Sequence, residues 1–281
     1  MSHLRQISFR VHCVFELFRA ALHRTSGIHV KAIISDIHGN LEALQAVLET
    51  IDQLGVREVI CLGDVVGYGP QPRECLDIVK NVAKFTILGN HEEAVLDGTP
   101  ASFTERARKA IAWTRKTLFD DESEPQKVRD DRRAAMREFK IQMRHDGVQY
   151  VHGSPRDPTR EYVMPRDTIS DKKKMNEIFA CLEDYCFCGH THTPGVFTTG
   201  GFSHPSDMFD LYILGSHEKV LLNVGSVGQP RDGDPRACFV TFDGDTIVWR
   251  RVEYDVEAVC GKIYANPDLD DFLADRLRDG K

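Results

Sequence analysis

The chain has no apolar run as long as a membrane-spanning helix, no cysteine spacing that suggests a disulfide framework, and no surplus of positive charge. The first absence argues against a helical membrane protein and predicts a soluble one. The second bears on the redox compartment. Eight cysteines, at 13, 61, 75, 181, 186, 188, 238 and 260, lie mostly in apolar stretches. Free thiols behave there as small buried hydrophobes, which fits a reducing, cytoplasmic setting. Cys186 and Cys188 form a lone C-x-C without a second pair, so two residues on one strand face are expected rather than a zinc site. The third absence, a net charge of −7, argues against nonspecific binding to nucleic acid or to an anionic membrane. Anionic substrates stay open, because bound metal ions would reverse the local field. The chain also lacks internal repeats and low-complexity tracts.

What is present suits one sizeable α/β domain: 281 residues, 41% apolar and 28% charged. Residues 1–29 stand apart, with four arginines and a single acid, Glu16. They read as a dispensable extension ahead of a natural start near Val30. Residues 30–281 then read as a single domain.

Ala32–Ser35 is too short for a helix and reads as a buried strand. Leu41, Leu44, Val47, Leu48 and Ile51 follow at helical spacing, with Asn40 as cap. Glu58–Leu62 and Phe85–Leu88 read as strands flanking a helix over Arg73–Val82, a pattern of parallel βαβ units. A charged, mainly helical insertion is expected near 93–145. Strands resume at Val148–His152 and Tyr185–Cys188. Short β segments between 195 and 252 are expected to build most of a second sheet, and two helices close the chain.

Five polar clusters end apolar runs: Asp36-Ile37-His38, Gly63-Asp64, Gly89-Asn90-His91-Glu92, His152-Gly153 and Gly189-His190-Thr191-His192. Ligands of parallel sheets bind beyond the carboxyl ends of strands, so these clusters can meet at one edge. Carboxylate, amide and imidazole donors without thiolate favour Mn²⁺, Fe²⁺ or Zn²⁺, with Ni²⁺ also accepted, over Ca²⁺ or a structural zinc. Any one cluster alone is unremarkable: Asp36 or Asp64 could cap a turn, and a single histidine could be a hydrogen-bonded loop residue. The five in this order point to a site for two divalent ions.

That order resembles the calcineurin-like metallophosphoesterase superfamily over about Lys31 to Val224. The flanks Gly67-Tyr68-Gly69-Pro70, His152-Gly153-Ser154-Pro155-Arg156-Asp157 and Asn223 to Arg231 resemble its small prokaryotic branch, related to diadenosine tetraphosphatases and phosphoprotein phosphatases. The resemblance implies a four-layer αββα sandwich. It implies Asp36, His38, Asp64 and His192 on one ion and Asp64, Asn90, His152 and His190 on the other. His91 would act on the substrate, with phosphorus attacked by a metal-bridging hydroxide. Glu92 is expected to orient His91 or a neighbouring loop, or simply to favour a helix N-terminus.

One departure matters. Phosphoprotein phosphatases follow the second motif with an arginine that grips phosphate, whereas Val65 and Val66 are here followed by Gly67 and Tyr68. Neither residue replaces a guanidinium. Phosphodiesters carry less charge and become the expected substrates, ahead of protein phosphomonoesters and dinucleotide polyphosphates. Arg156 and Arg231 are candidates to replace the missing group. Other expectations are a small phosphoester as partner, a possible homodimer through exposed strand edges and, as a rival of another class, a noncatalytic metal-binding scaffold.

Overall fold

Alternation along the strands dictates the layers. The computed structural model describes residues 29–215 and 218–281. The proposed extension 1–29 therefore lies, apart from His29, outside the described residues. In β1 (Lys31–Ile34), Ala32 and Ile34 pack on one side while Ile33 packs on the other. In β2 (Glu58–Cys61), Val59 and Cys61 share the side of Ile34, and Ile60 joins Ile33. The helices α1 (Leu41–Gln53) and α2 (Pro72–Val82) cover the first side with Leu44, Val47, Ile51, Leu76 and Val79. Asn40 Oδ1 caps α1 by accepting from Ala43 N–H at 3.0 Å.

Ile33 and Ile60 meet a second sheet, where Tyr150, Phe187 and Leu222 point back at them. These residues lie in β5 (Val148–Val151), β6 (Tyr185–Cys188) and β10 (Val220–Asn223). Cys186 and Cys188 sit on the opposite face of β6, buried with Ile178 and Phe179 of the helix Lys172–Cys181. Helix, sheet, sheet, helix is thus the layer order, an αββα sandwich.

Each sheet has six strands. The first runs β3-β2-β1-β11-β12-β9, with β3 at Ala83–Thr86, β9 at Leu211–Ile213, β11 at Ala237–Phe242 and β12 at Thr246–Val252. The second runs β4-β5-β6-β10-β7-β8, with β4 at Gln142–His145, β7 at Gly195–Thr198 and β8 at Gly201–Ser203. This corrects the expectation that segments 195–252 mostly build the second sheet. Strand β11 instead pairs antiparallel with β1, Ala32 opposite Thr241, and carries β12 and β9 into the first sheet.

Helices fill 93–137: α3 (Asn90–Asp97), α4 (Glu105–Arg115) with a π-helical turn to Asp120, and α5 (Gln126–Arg137). The segment then ends in β4, which edges the second sheet against β5. At the C-terminus, α8 (Val256–Tyr264) and α9 (Phe272–Asp279) form their own apolar cluster; the two helices between α5 and α8 are α6 (Asp167–Ser170) and α7 (Lys172–Cys181). Among the described residues, no helix is long and apolar enough to cross a membrane.

Candidate metal centre

The strands β1, β2 and β3 are parallel to one another, as are β5, β6 and β10, so each sheet gathers its strand ends along one edge. Asp36 and His38 follow β1, Asp64 follows β2, and Asn90 and His91 begin α3 just after β3. From the second sheet, His152 follows β5 and His190 and His192 follow β6. The two edges meet. Three overlapping clusters result: Asp36, His38 and His192; His38, Asp64 and His91; and Asp64, His152 and His190. Every one of these side chains is buried.

The turns that present them are strained and cross-laced. Nine non-glycine residues have left-handed φ among the described residues, and five of them are Asp36, His38, Asp64, His190 and His192. Such a conformation costs roughly 1–3 kcal/mol at each residue and persists only where surroundings impose it. Here Asp36 N–H donates to Gly63 C=O at 3.0 Å, and His38 N–H to Asp64 C=O at 2.9 Å. Ser226 Oγ donates to Asp36 C=O at 2.7 Å, while Asn223 Nδ2 holds Gly189 C=O at 2.6 Å. Close approach also demands glycine: a Cβ on Gly89 would lie 2.1 Å from Asp64 Oδ1.

Each of four imidazoles is held at one nitrogen by a main-chain carbonyl. His38 Nδ1 donates to Val66 at 3.2 Å, His152 Nδ1 to Leu62 at 2.9 Å, His192 Nδ1 to Gln229 at 2.6 Å and His190 Nε2 to Arg160 at 3.1 Å. A ring that donates at one nitrogen offers a lone pair at the other, which is how metal-binding histidines are oriented. Those lone pairs converge. His38 Nε2 faces His192 Nε2 at 3.1 Å, and His152 Nε2 faces His190 Nδ1 at 3.1 Å and Asn90 Oδ1 at 3.0 Å. Facing lone pairs repel unless a cation or proton lies between them, so this donor set fits divalent ions.

Asp64 is central. Its Oδ1 accepts from His91 N–H at 2.9 Å, and its Oδ2 lies 3.3 Å from His152 Nε2 and 3.7 Å from His38 Nε2. Asp36 Oδ1 lies 3.1 Å from His192 Nε2. Charge follows geometry. Burial alone would raise both aspartates, but the neighbouring histidines, His192 for Asp36 and His152 for Asp64, hold each below the usual carboxylate range. Burial opposes a charged His152, yet Asp64 holds it up to about 9. Burial and then the charge on His152 push His190 down to about 3. Two carboxylates thus face one imidazolium, whose proton stands where a cation would otherwise compensate the site.

Glu92 accepts three main-chain N–H groups: Asp64 at 2.8 Å, Val66 at 3.0 Å and Gly89 at 3.1 Å. It both serves the start of α3 and ties that helix to the Asp64 turn. Burial, then the charge of Asp64, raises its carboxyl to about 8.

His91 differs from the other rings. No carbonyl holds it, its Nδ1 is buried without a partner, and it borders a cavity of about 280 Å³ with Tyr68, Phe103, Arg160 and Tyr162. Arg231 stands beside the cluster through its N–H to His192 C=O at 3.2 Å. The Arg156 guanidinium pairs with Glu161 and Glu177. Tyr162, whose ring lies 3.8 Å from that of His190, was not foreseen, nor was Arg276 beside Tyr68. Neither carries a motif.

The model of the calcineurin-like phosphoesterase superfamily domain matches residues 31–246. The chain belongs to the calcineurin-like phosphoesterase superfamily. An uncharacterised protein of Methanocaldococcus jannaschii is 35% identical over 252 residues, covering 88% of this chain and 96% of its own. The crystal structure of a metallophosphoesterase from Sphaerobacter thermophilus superposes with a TM-score of 0.75 at 32% identity, covering 91% of this chain and 100% of that one. A hypothetical protein of Pyrococcus horikoshii shares the fold, with a TM-score of 0.68 at 20% identity over 90% of this chain and 98% of its own. As a member of this calcineurin-like, metal-dependent family, the chain is a hydrolase acting on phosphoesters.

Proposed function

We propose that the protein is a binuclear metal-dependent phosphodiesterase acting on small molecules. The observation that carries the reading is Asp64 Oδ2, which faces His38 of one cluster and His152 of the other. Asp36, His38, Asp64 and His192 would hold one ion, and Asp64, Asn90, His152 and His190 the second. Carboxylate, amide and imidazole donors suit Mn²⁺, Fe²⁺ or Zn²⁺. Bound ions of this kind neutralise phosphoryl oxygens and make water nucleophilic near neutral pH.

The protein's own part is to place and exclude. Burial holds His91 down to about 4, so near pH 7 its ring is neutral. A neutral imidazole donates a hydrogen bond to the leaving oxygen rather than delivering a full proton, the milder of two roles open to such a residue. Glu92 fixes the Asp64 turn through its three N–H contacts. The cavity of about 280 Å³ is at the small end for ligand pockets, which favours small esters over protein substrates. Tyr68 in place of the phosphatase arginine argues the same way.

The test is a metal-by-substrate matrix. Rates would be measured on bis(p-nitrophenyl) phosphate and on p-nitrophenyl phosphate with Mn²⁺, Zn²⁺, Ni²⁺ and Mg²⁺, with Asn90→Ala as control. Metal-dependent turnover favouring the diester, lost in the control, is expected. Metal binding without turnover on either ester would leave the noncatalytic scaffold as the better account.

A further inference from the structure

A carbonyl at one nitrogen orients each of the other four imidazoles, but His91 has none, and its Nδ1 is buried without a partner. Rings take that place. Tyr68 lies 4.5 Å from His91 with 61° between the planes, His38 4.7 Å with 71°, and Phe103 5.4 Å with 43°. Tilted and edge-on contacts at these distances are the favoured arrangement of aromatic pairs. The main chain of Gly67 closes the fourth side: a Cβ there would lie 2.1 Å from His91 Nδ1.

Among these rings, Tyr68 is the one that the backbone is bent to deliver. Gly69 N–H donates to both Gly67 C=O and His38 C=O, at 2.8 Å each, which closes a three-residue turn centred on Tyr68. Tyr68 has a φ of +63°. That is the rare, strained form of such a turn, and a bulky side chain seldom adopts it. Strain of this kind persists only where the surroundings impose it. The C-terminal helices do so here. The Tyr68 ring packs on their apolar cluster, which includes Val259 and Ile263 of α8 and Leu273 and Leu277 of α9. The Arg276 guanidinium lies 5.5 Å from the ring centre, within reach of a cation–π contact. Tyr68 is thus wedged between the helical pair and the metal cluster. Its other neighbour there, His38 at 4.7 Å, is already fixed by Val66 C=O. His91 is the imidazole left for Tyr68 to orient.

We propose that Tyr68 is the positioning residue for His91. Its ring, braced by α8 and α9, fixes the imidazole in the pose from which it donates a hydrogen bond to the leaving oxygen. The ring carries this role and the hydroxyl does not. The assignment rests on the phosphodiesterase reading above and deepens it, because a helical pair outside the metal cluster then supports the leaving-group step.

The experiment uses the Mn²⁺-loaded full chain and methyl aryl phosphates whose leaving phenols run from p-nitrophenol to phenol. The poorer the leaving group, the more it depends on a donated hydrogen bond. Wild type is compared with Tyr68→Phe, Tyr68→Leu, Tyr68→Gly, His91→Ala, and Tyr68→Leu combined with His91→Ala. A thermal melt checks folding, and glycine accepts the left-handed φ without strain, so the turn survives loss of the ring. Both ring deletions should lower kcat by at least about tenfold at phenol and by less than about threefold at p-nitrophenol, with Mn²⁺ affinity unchanged. Tyr68→Phe should stay within about twofold of wild type across the series, since it keeps the ring. In the His91→Ala background, Tyr68→Leu should cost less than about twofold more, because two residues acting as one unit are not additive. Equal losses across the series, an additive loss in the double variant, or weakened Mn²⁺ binding would overturn the proposal. Failure of both ring-deleted variants to fold would overturn it as well, by assigning Tyr68 to the fold alone. A wild type that turns over no ester in the series, or a His91→Ala variant as active as wild type, would instead sink the underlying reading and the proposal with it. That result is visible before any Tyr68 variant is made.

Discussion

The two sheets contribute unequal chemistry to the metal centre. The first supplies both carboxylates, the amide and His38; the second supplies imidazoles only, His152, His190 and His192. Each candidate ion draws ligands from both, so neither sheet alone offers a complete site. Ions would therefore staple the sheets together, and metal binding and sheet packing should be one equilibrium seen from two sides.

The largest effect should come from breaking the shared member. Asp64→Asn should lower kcat/KM by more than the roughly 100-fold that losing a mere supporting partner costs, because both ions lose a ligand. A smaller loss in steady-state assays would mean that Asp64 serves one ion only. Next comes stability. An ion at 100 times its dissociation constant adds about 2.7 kcal/mol, which for a domain of this size raises Tm by roughly 5–10 °C. Thermal melts with Mn²⁺ and with EDTA should differ accordingly, and Asp64→Asn should shrink the difference.

The pH dependence is subtler and belongs to the second sheet. His152 is raised to about 9 without ions and must lose its proton to become a ligand. Affinity for the second ion should therefore rise with pH by up to about tenfold per unit, levelling off above about 9. Calorimetry in buffers of different ionisation enthalpy should register proton release near pH 7. Flat affinity between pH 6 and 8 would contradict the charge assignment. The smallest effect should be at Arg156, whose ion pairs with Glu161 and Glu177 are exposed. Arg156→Ala should cost less than about 1 kcal/mol by denaturant titration and leave kcat/KM within twofold.

The chemistry was more legible in the sequence than the sheets were. Asp36, Asp64 and His190 announce themselves because short apolar runs precede them and polar motifs break those runs. Sheet membership has no such local signal. Pairing of β11 with β1 is a long-range choice, and the alternation within Ala237–Phe242 suits either sheet. Strand β4 was missed because Gln142, Arg144 and His145 make it a polar edge, without the alternation that marks a half-buried strand. Arg276 was invisible for another reason. In sequence it is one more charge on a surface-like helix, and only packing brings it to Tyr68.

The most direct test is anomalous diffraction from a crystal of the Mn²⁺-loaded protein. The account predicts two peaks roughly 3.5–4 Å apart with a carboxylate oxygen of Asp64 between them. A single peak, or two peaks that do not share Asp64, would contradict it.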